Sequence, residues 1–128
     1  MVDDEILAGH LQELRRGTIV VACLATLSTP GYGYSLLGTL ERAGLSVDAN
    51  TLYPLLRRLE RQGLLDARWD TEESRPRKFY RTSPAGAEVL DGLLSAWESL
   101  HGSLTALRGV PRPPGDHDTP GGTAATDT

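Results

Sequence analysis

Residues 48–65 admit few local structures. Asp48 is of the type that caps a helix, its carboxylate accepting an amide of the first turn, with Thr51 at the third helical position. Leu52, Leu55, Leu56 and Leu59 then recur on one face, which leaves Tyr53, Arg57, Arg58 and Arg61 outward or on the flanks. Gly63 stops the helix, and Leu64 opens a segment with strand character. Pro54 is the irregularity: it has no amide for the Asn50 carbonyl, so a bent or loose first turn is expected.

Residues 64–70 and 77–82 read as two strands joined by a polar tip over 71–76. A basic helix followed by a basic hairpin is the arrangement with which a winged helix holds duplex DNA. The net charge of −4 speaks against nucleic acid until its distribution is considered. Residues 57–81 contain Arg57, Arg58, Arg61, Arg68, Arg75, Arg77, Lys78 and Arg81 against Glu60, Asp66, Asp70, Glu72 and Glu73, a local +3. The acidic excess sits near the ends, in Asp3, Asp4, Glu5, Asp116, Asp118 and Asp127. DNA responds to the face within a screening length, not to the summed charge.

The rest of the chain fits one small domain with a following helix. Residues 11–27 are largely apolar and read as a helix buried on most sides; Gly17 leaves open whether 4–14 continue it. Residues 28–31 read as a loop, and a short second helix is expected from residues 32–33 to Arg42, with Leu36, Leu37 and Leu40 inward and Gly44 ending it. Ser83-Pro84 supplies a cap and a first-turn proline for a last helix. There Leu90, Leu93, Trp97, Leu100, Leu104 and Leu107 recur at heptad spacing, a seam that a second copy of the chain would cover. The expected divisions are an acidic segment 1–10, a winged helix-turn-helix domain 11–82, a dimerisation helix 83–108 and a disordered Gly/Pro-rich tail 109–128. The fold class is mainly α with a small β-hairpin.

Other chemistry finds little support. Cys23 is the lone cysteine, set in an apolar run as a buried inert thiol, which suits a reducing cytoplasm. His10, His101 and His117 are too scattered for a metal site, and no spacing suggests a catalytic triad. No cofactor, metal or enzymatic activity is expected. No apolar run approaches a membrane span, and the acidic start differs from a signal peptide.

Several stretches carry a resemblance: Arg16-Gly17-Thr18, Tyr32-Gly33-Tyr34, the run from Thr51 through Leu52-Tyr53-Pro54-Leu55-Leu56-Arg57-Arg58-Leu59-Glu60 to Gly63-Leu64, and Arg77-Lys78-Phe79-Tyr80-Arg81-Thr82. Over roughly residues 11–107 the chain resembles PadR-like transcriptional regulators of the smaller bacterial subclass. The resemblance implies a homodimeric winged-helix repressor on double-stranded DNA with an inverted-repeat operator, released by a small aromatic or hydrophobic effector. It implies that Thr51, Tyr53 and Pro54 face the major groove, that Arg57 and Arg58 reach phosphate, and that Arg75, Arg77 and Lys78 form the wing's grip. Tyr34 would offer its hydroxyl to phosphate. Two departures stand out. Asp48-Ala49-Asn50 replaces a more usual Ser-x-Gly, placing a phosphate-repelling carboxylate at the helix start and offering Asn50 to base edges. Ser74-Arg75-Pro76 replaces the glycines of a typical wing tip.

Plainer roles stand beside these. Arg57, Arg58 and Arg61 also suit an ordinary solvated face, and Tyr53 and Tyr80 also suit a core. Trp97 is compatible with stacking on a flat effector or with a simple interface anchor. The alternative to a DNA regulator is a winged-helix interaction module that offers its basic face to an acidic protein.

Overall fold

A computed structural model describes residues 3–72 and 74–109. The element order is α1 (Asp4–Thr26), β1 (Gly31–Tyr32), α2 (Gly33–Arg42), α3 (Ala49–Arg61), β2 (Leu65–Asp70), β3 (Arg77–Thr82) and α4 (Pro84–Gly109). The chain divides into two compact units after Ser95.

In the first unit, Asp3 caps α1 by accepting the Glu5 amide at 2.9 Å, with Asp4 and Glu5 favourably placed in the first turn. The helix runs unbroken through Gly17, so the expected separate acidic segment 1–10 is instead, from Asp4 on, the opening turns of α1. Burial on most sides does not hold either. Leu14 is exposed and Leu11 half-buried; full burial begins at Ile19 and continues at Cys23 and Leu24. One stripe of the helix meets the core while its first half carries Ile6, Leu7 and Leu14 into solvent.

The core joins that stripe to Leu27, Leu36, Leu40, Leu52, Leu56, Leu59, Leu65 and Tyr80. Each buried leucine contributes about 2 kcal/mol of apolar transfer. Leu37 and Leu55, expected inward, are half-buried at the core's margin. Gly44 and Gly63 follow α2 and α3 with φ of 84° and 79°, left-handed conformations that let the chain turn out of each helix.

The sheet has three strands in the order β1-β3-β2, all antiparallel. The hairpin register pairs Leu65 with Thr82 and Asp70 with Arg77. β1 lies where a loop was expected, pairing Gly31 with Tyr80 and Tyr32 with Phe79. Two residues carry no periodicity of their own, so only the distant partner makes them a strand. At the sheet's base the Thr82 amide and hydroxyl donate to the carbonyls of Leu27 (2.8 Å) and Leu24 (2.7 Å), tying the hairpin to the end of α1.

Ser83 connects the hairpin to α4. Its hydroxyl donates to the Gly63 carbonyl at 2.6 Å and accepts the Gly86 amide at 3.0 Å. Leu90 and Leu93 pack against the margin of the core. The second unit, described from Ala96 to Gly109, continues α4 and exposes Trp97, Leu100, Leu104 and Leu107. The tail expected over 109–128 lies outside the described residues except for Gly109, which ends the helix.

Candidate nucleic-acid interface

α3 supplies the first part of the candidate surface. Asp48 accepts the Thr51 amide at 2.9 Å, as the capping pattern requires. The helix continues across Pro54 without interruption. The missing amide leaves the Asn50 carbonyl without that intrahelical bond, and Asn50, Thr51 and Pro54 are all exposed. Tyr53 is half-buried. Its ring lies over the start of α2, where a Cβ on Gly33 would come within 3.0 Å of it. Arg57, Arg58 and Arg61 project from α3 into solvent and form no ion pair among the described residues. Arg58 and Arg61, in the last turn, also complement the helix dipole.

The wing divides its basic residues into two kinds. Arg75, at the tip, is exposed. Lys78 is not an open grip: its Nζ lies 2.9 Å from Glu60 Oε1, with its side chain only 27% exposed. That hydrogen bond pushes the Lys78 pKa up against the opposing effect of burial. The ammonium also lies 5.5 Å from the Tyr80 ring centroid. Tyr80 itself is buried in the core, and that burial raises its pKa. Lys78 therefore joins β3 to the last turns of α3. The side chain of Glu60 decides this, and its role was not visible from the basic run alone.

Arg77 is likewise engaged. Its guanidinium carbon stands 4.3 Å from the Tyr32 ring centroid, and Nη1 donates to the Tyr34 hydroxyl at 2.6 Å. The Tyr32 and Tyr34 rings stack at 5.7 Å, and Phe79 meets Tyr32 edge-on at 5.0 Å. The Tyr32 hydroxyl donates to Asp70 Oδ2 at 2.5 Å, and the Glu72 amide donates to Oδ1 at 3.1 Å. These two bonds, with a smaller contribution from the Arg77 charge, hold the Asp70 pKa below the usual carboxylate range. Tyr34 remains about half exposed. Because its oxygen accepts from Arg77, its own proton is available to donate to an incoming anion.

A further basic pair, with no local sequence signal to link it to α3, stands beside this surface. Arg15 and Arg16 of α1 line a cleft of about 500 Å³ together with Asp48 and Thr51 at the start of α3. Arg16 is paired with Glu13 at 3.1 Å on an exposed face. Only the fold brings these residues, distant along the chain, to the lining of one cleft.

Along α4, Trp97 is 51% exposed, and its ring stacks on His101 at 5.4 Å with an interplanar angle of 4°. The i,i+4 spacing of the two rings was present in the sequence but carried no signal there. Burial pushes the Cys23 thiol up to about 12, so it is protonated and inert at neutral pH. Among the described residues no cluster of metal-ligating side chains occurs, and no helix is long and apolar enough to cross a membrane.

The model of the transcriptional regulator PadR-like family matches residues 21–92, from within α1 through the wing into α4. The chain belongs to the PadR-like family of transcriptional regulators. Among solved structures it is similar to a PadR family transcriptional regulator from Eggerthella lenta, with 44% identity and a TM-score of 0.81 over 84% of this chain and 96% of that one. A PadR-like regulator from Bacillus cereus, 24% identical with a TM-score of 0.69 over 77% of this chain and 99% of its own, shares the fold. A transcriptional regulator from Mycobacterium tuberculosis is 41% identical over 69 residues, which span 54% of this chain and 64% of that protein. PadR-like regulators are DNA-binding winged-helix proteins, not enzymes, and are typically dimeric.

Proposed function

We propose that this PadR-like protein represses transcription as a homodimer on an inverted-repeat operator, each copy placing α3 in a major groove. The observation that carries this reading is the open arginine row of α3, Arg57, Arg58 and Arg61, on the same unit as the exposed wing-tip Arg75. Planar guanidinium groups suit phosphate, and the exposed Asn50, Thr51 and Pro54 lead the helix toward base edges. Tyr53 contributes through packing as much as through contact. Tyr34 donates its hydroxyl to phosphate. Lys78 and Arg77 support the wing from within.

The dimer buries Trp97, Leu100, Leu104 and Leu107, and the exposed Ile6, Leu7 and Leu14 of α1 give a second copy further apolar surface to cover. Leu90 and Leu93 contribute less, since their own core already covers them in part. Release is assigned to a flat aromatic effector stacking on the half-exposed Trp97.

Titrating duplex DNA from the region upstream of its own gene, at a series of salt concentrations, tests the reading. If the dimer neutralises about 6 to 10 phosphates, affinity falls by roughly 10³ to 10⁵ between 50 and 200 mM salt. Binding that barely responds to salt overturns it. Binding to an acidic protein in place of DNA makes the chain an interaction module. For the effector, Trp97 fluorescence in a Trp69→Phe background should change on adding aromatic compounds that also release DNA.

A further inference from the structure

Arg77 begins β3, directly across the hairpin from Asp70 at the end of β2. Both residues at this closing point of the wing are held by the same short segment, β1 and the first residue pair of α2. Tyr32 holds Asp70 through its hydroxyl and Arg77 through its ring face, and Tyr34 accepts from Arg77 Nη1. Phe79, two residues along β3, closes the ring stack from the side. Tyr32 also belongs to the sheet, since its backbone pairs with Phe79. The wing's root is thus fastened at two points to the element that leads into α2, and α2 packs on α3.

A planar guanidinium suits this position for two reasons. It can sit over the Tyr32 ring face, 4.3 Å from the centroid, and from that position Nη1 donates to the Tyr34 hydroxyl oxygen at 2.6 Å. A lysine ammonium keeps the charge but loses the flat stacking and the fixed fork. We infer that Arg77 is a positioning residue: clamped by Tyr32 and Tyr34, it sets the angle of the wing against α2 and α3 so that Arg75 meets the DNA backbone. Arg77 is then not itself the phosphate contact that its place in a basic strand suggests. This inference rests on the DNA-binding reading only for its consequence; the clamp itself exists in the free protein.

Two measurements test it. In the free protein, hydrogen exchange is compared for wild type, Arg77→Lys and Tyr34→Phe. The clamp requires faster exchange across residues 70–79 in both variants, with the amides of α4 unchanged. Wild-type exchange in the hairpin of both variants overturns the clamp, whatever happens with DNA. On the duplex from upstream of its own gene, Arg77→Lys and Arg75→Ala are then measured singly and together across salt. A wing that has lost its angle loses the Arg75 contact, so Arg77→Lys alone weakens binding and lowers the salt slope by about 1 despite the retained charge. Adding Arg75→Ala to Arg77→Lys then changes little, a strongly non-additive cycle. If Arg77→Lys binds with wild-type affinity and slope, or if the two effects simply add, Arg77 is a direct phosphate contact and the inference fails. Tyr34→Phe removes one hydroxyl and keeps the ring, so it reports on the clamp should Arg77→Lys fold poorly. Failure of the wild type to bind DNA counts against the proposed function alone and leaves the exchange result to decide the clamp.

Discussion

A methyl group added at Gly86 would lie 2.1 Å from the Leu64 carbonyl oxygen and 2.8 Å from Thr82 Cγ2. That carbonyl already accepts the Ser83 amide at 3.0 Å and is a backbone group, which cannot swing aside as the end of a flexible side chain can. Gly86→Ala should therefore destabilise the first unit by about 3 kcal/mol or more, the upper range for overpacking, seen as a lower urea midpoint at unchanged slope. A second expectation concerns alkaline pH. The Cys23 thiol is raised from 9.0 to about 12 by burial, and Lys78 and Tyr80 are raised as well. For each group the unfolded chain loses its proton at lower pH than the folded one. The stability that Cys23 contributes is complete below about pH 9 and is lost as pH climbs toward about 12, and the Lys78 and Tyr80 contributions are lost in the same alkaline direction. Urea midpoints measured from pH 7 to 11 should hold level and then fall, and Cys23→Ala should flatten part of that fall from its lower starting stability. At the acid end the Asp70 shift has the opposite sign: the contribution of its bonds to Tyr32 and Glu72 is complete above the ordinary carboxylate range and is lost as pH drops below that range through the lowered folded value.

At the scale of elements, α3 poses a conflict that one substitution separates. Asp48 stabilises the helix start through the Thr51 amide but presents a negative charge where phosphate should approach. Asp48→Ser keeps a capping oxygen and removes the charge, so thermal stability should change by less than about 1 kcal/mol while DNA affinity at low salt rises. Unchanged or weaker binding would place the helix start away from phosphate. Replacing Arg57 and Arg58 by Ala should weaken binding to all sequences alike and lower the salt slope by about 2, whereas Asn50→Ala should change preference at particular bases. The elements differ in how far the sequence disclosed them, and the difference is physical. The Asp48 cap, Leu52, Leu56 and Leu59 of the leucine stripe, the Gly63 stop and the Ser83-Pro84 start are signals carried within a few residues, and each lies where its local pattern puts it, while Leu55 is only half-buried. The strand at Gly31–Tyr32, the Glu60–Lys78 pair, the tyrosine clamp on Arg77 and the close approach at Gly86 all depend on partners distant along the chain. A count of basic residues shows where charge lies but not which charges are already engaged. Lys78 and Arg77 were therefore indistinguishable from Arg75 before the fold placed them.

At the scale of the whole molecule, the described part of the second unit leaves a row of apolar side chains in solvent. Trp97, Leu100, Leu104 and Leu107 are each more than half exposed, and Leu107 reaches 78%. Leu100→Asp should convert a dimer to a monomer in sedimentation at micromolar concentration and abolish tight operator binding, because a dimer engages two half-sites and a monomer one. A dimeric Leu100→Asp protein would move the interface elsewhere. The sheet has a different consequence, for the order in which the molecule assembles. β2 and β3 are neighbours in sequence and can pair as soon as their hairpin forms, but β1 must find Tyr80 across about fifty intervening residues. Closing so long a loop costs entropy that is recovered only when α2 and α3 have already filled the space between. Refolding should therefore bring the three buried leucines of α3, Leu52, Leu56 and Leu59, into the core before the third strand docks. Substitutions at Leu52 or Leu56 should slow folding, while Tyr32→Ala should mainly speed unfolding.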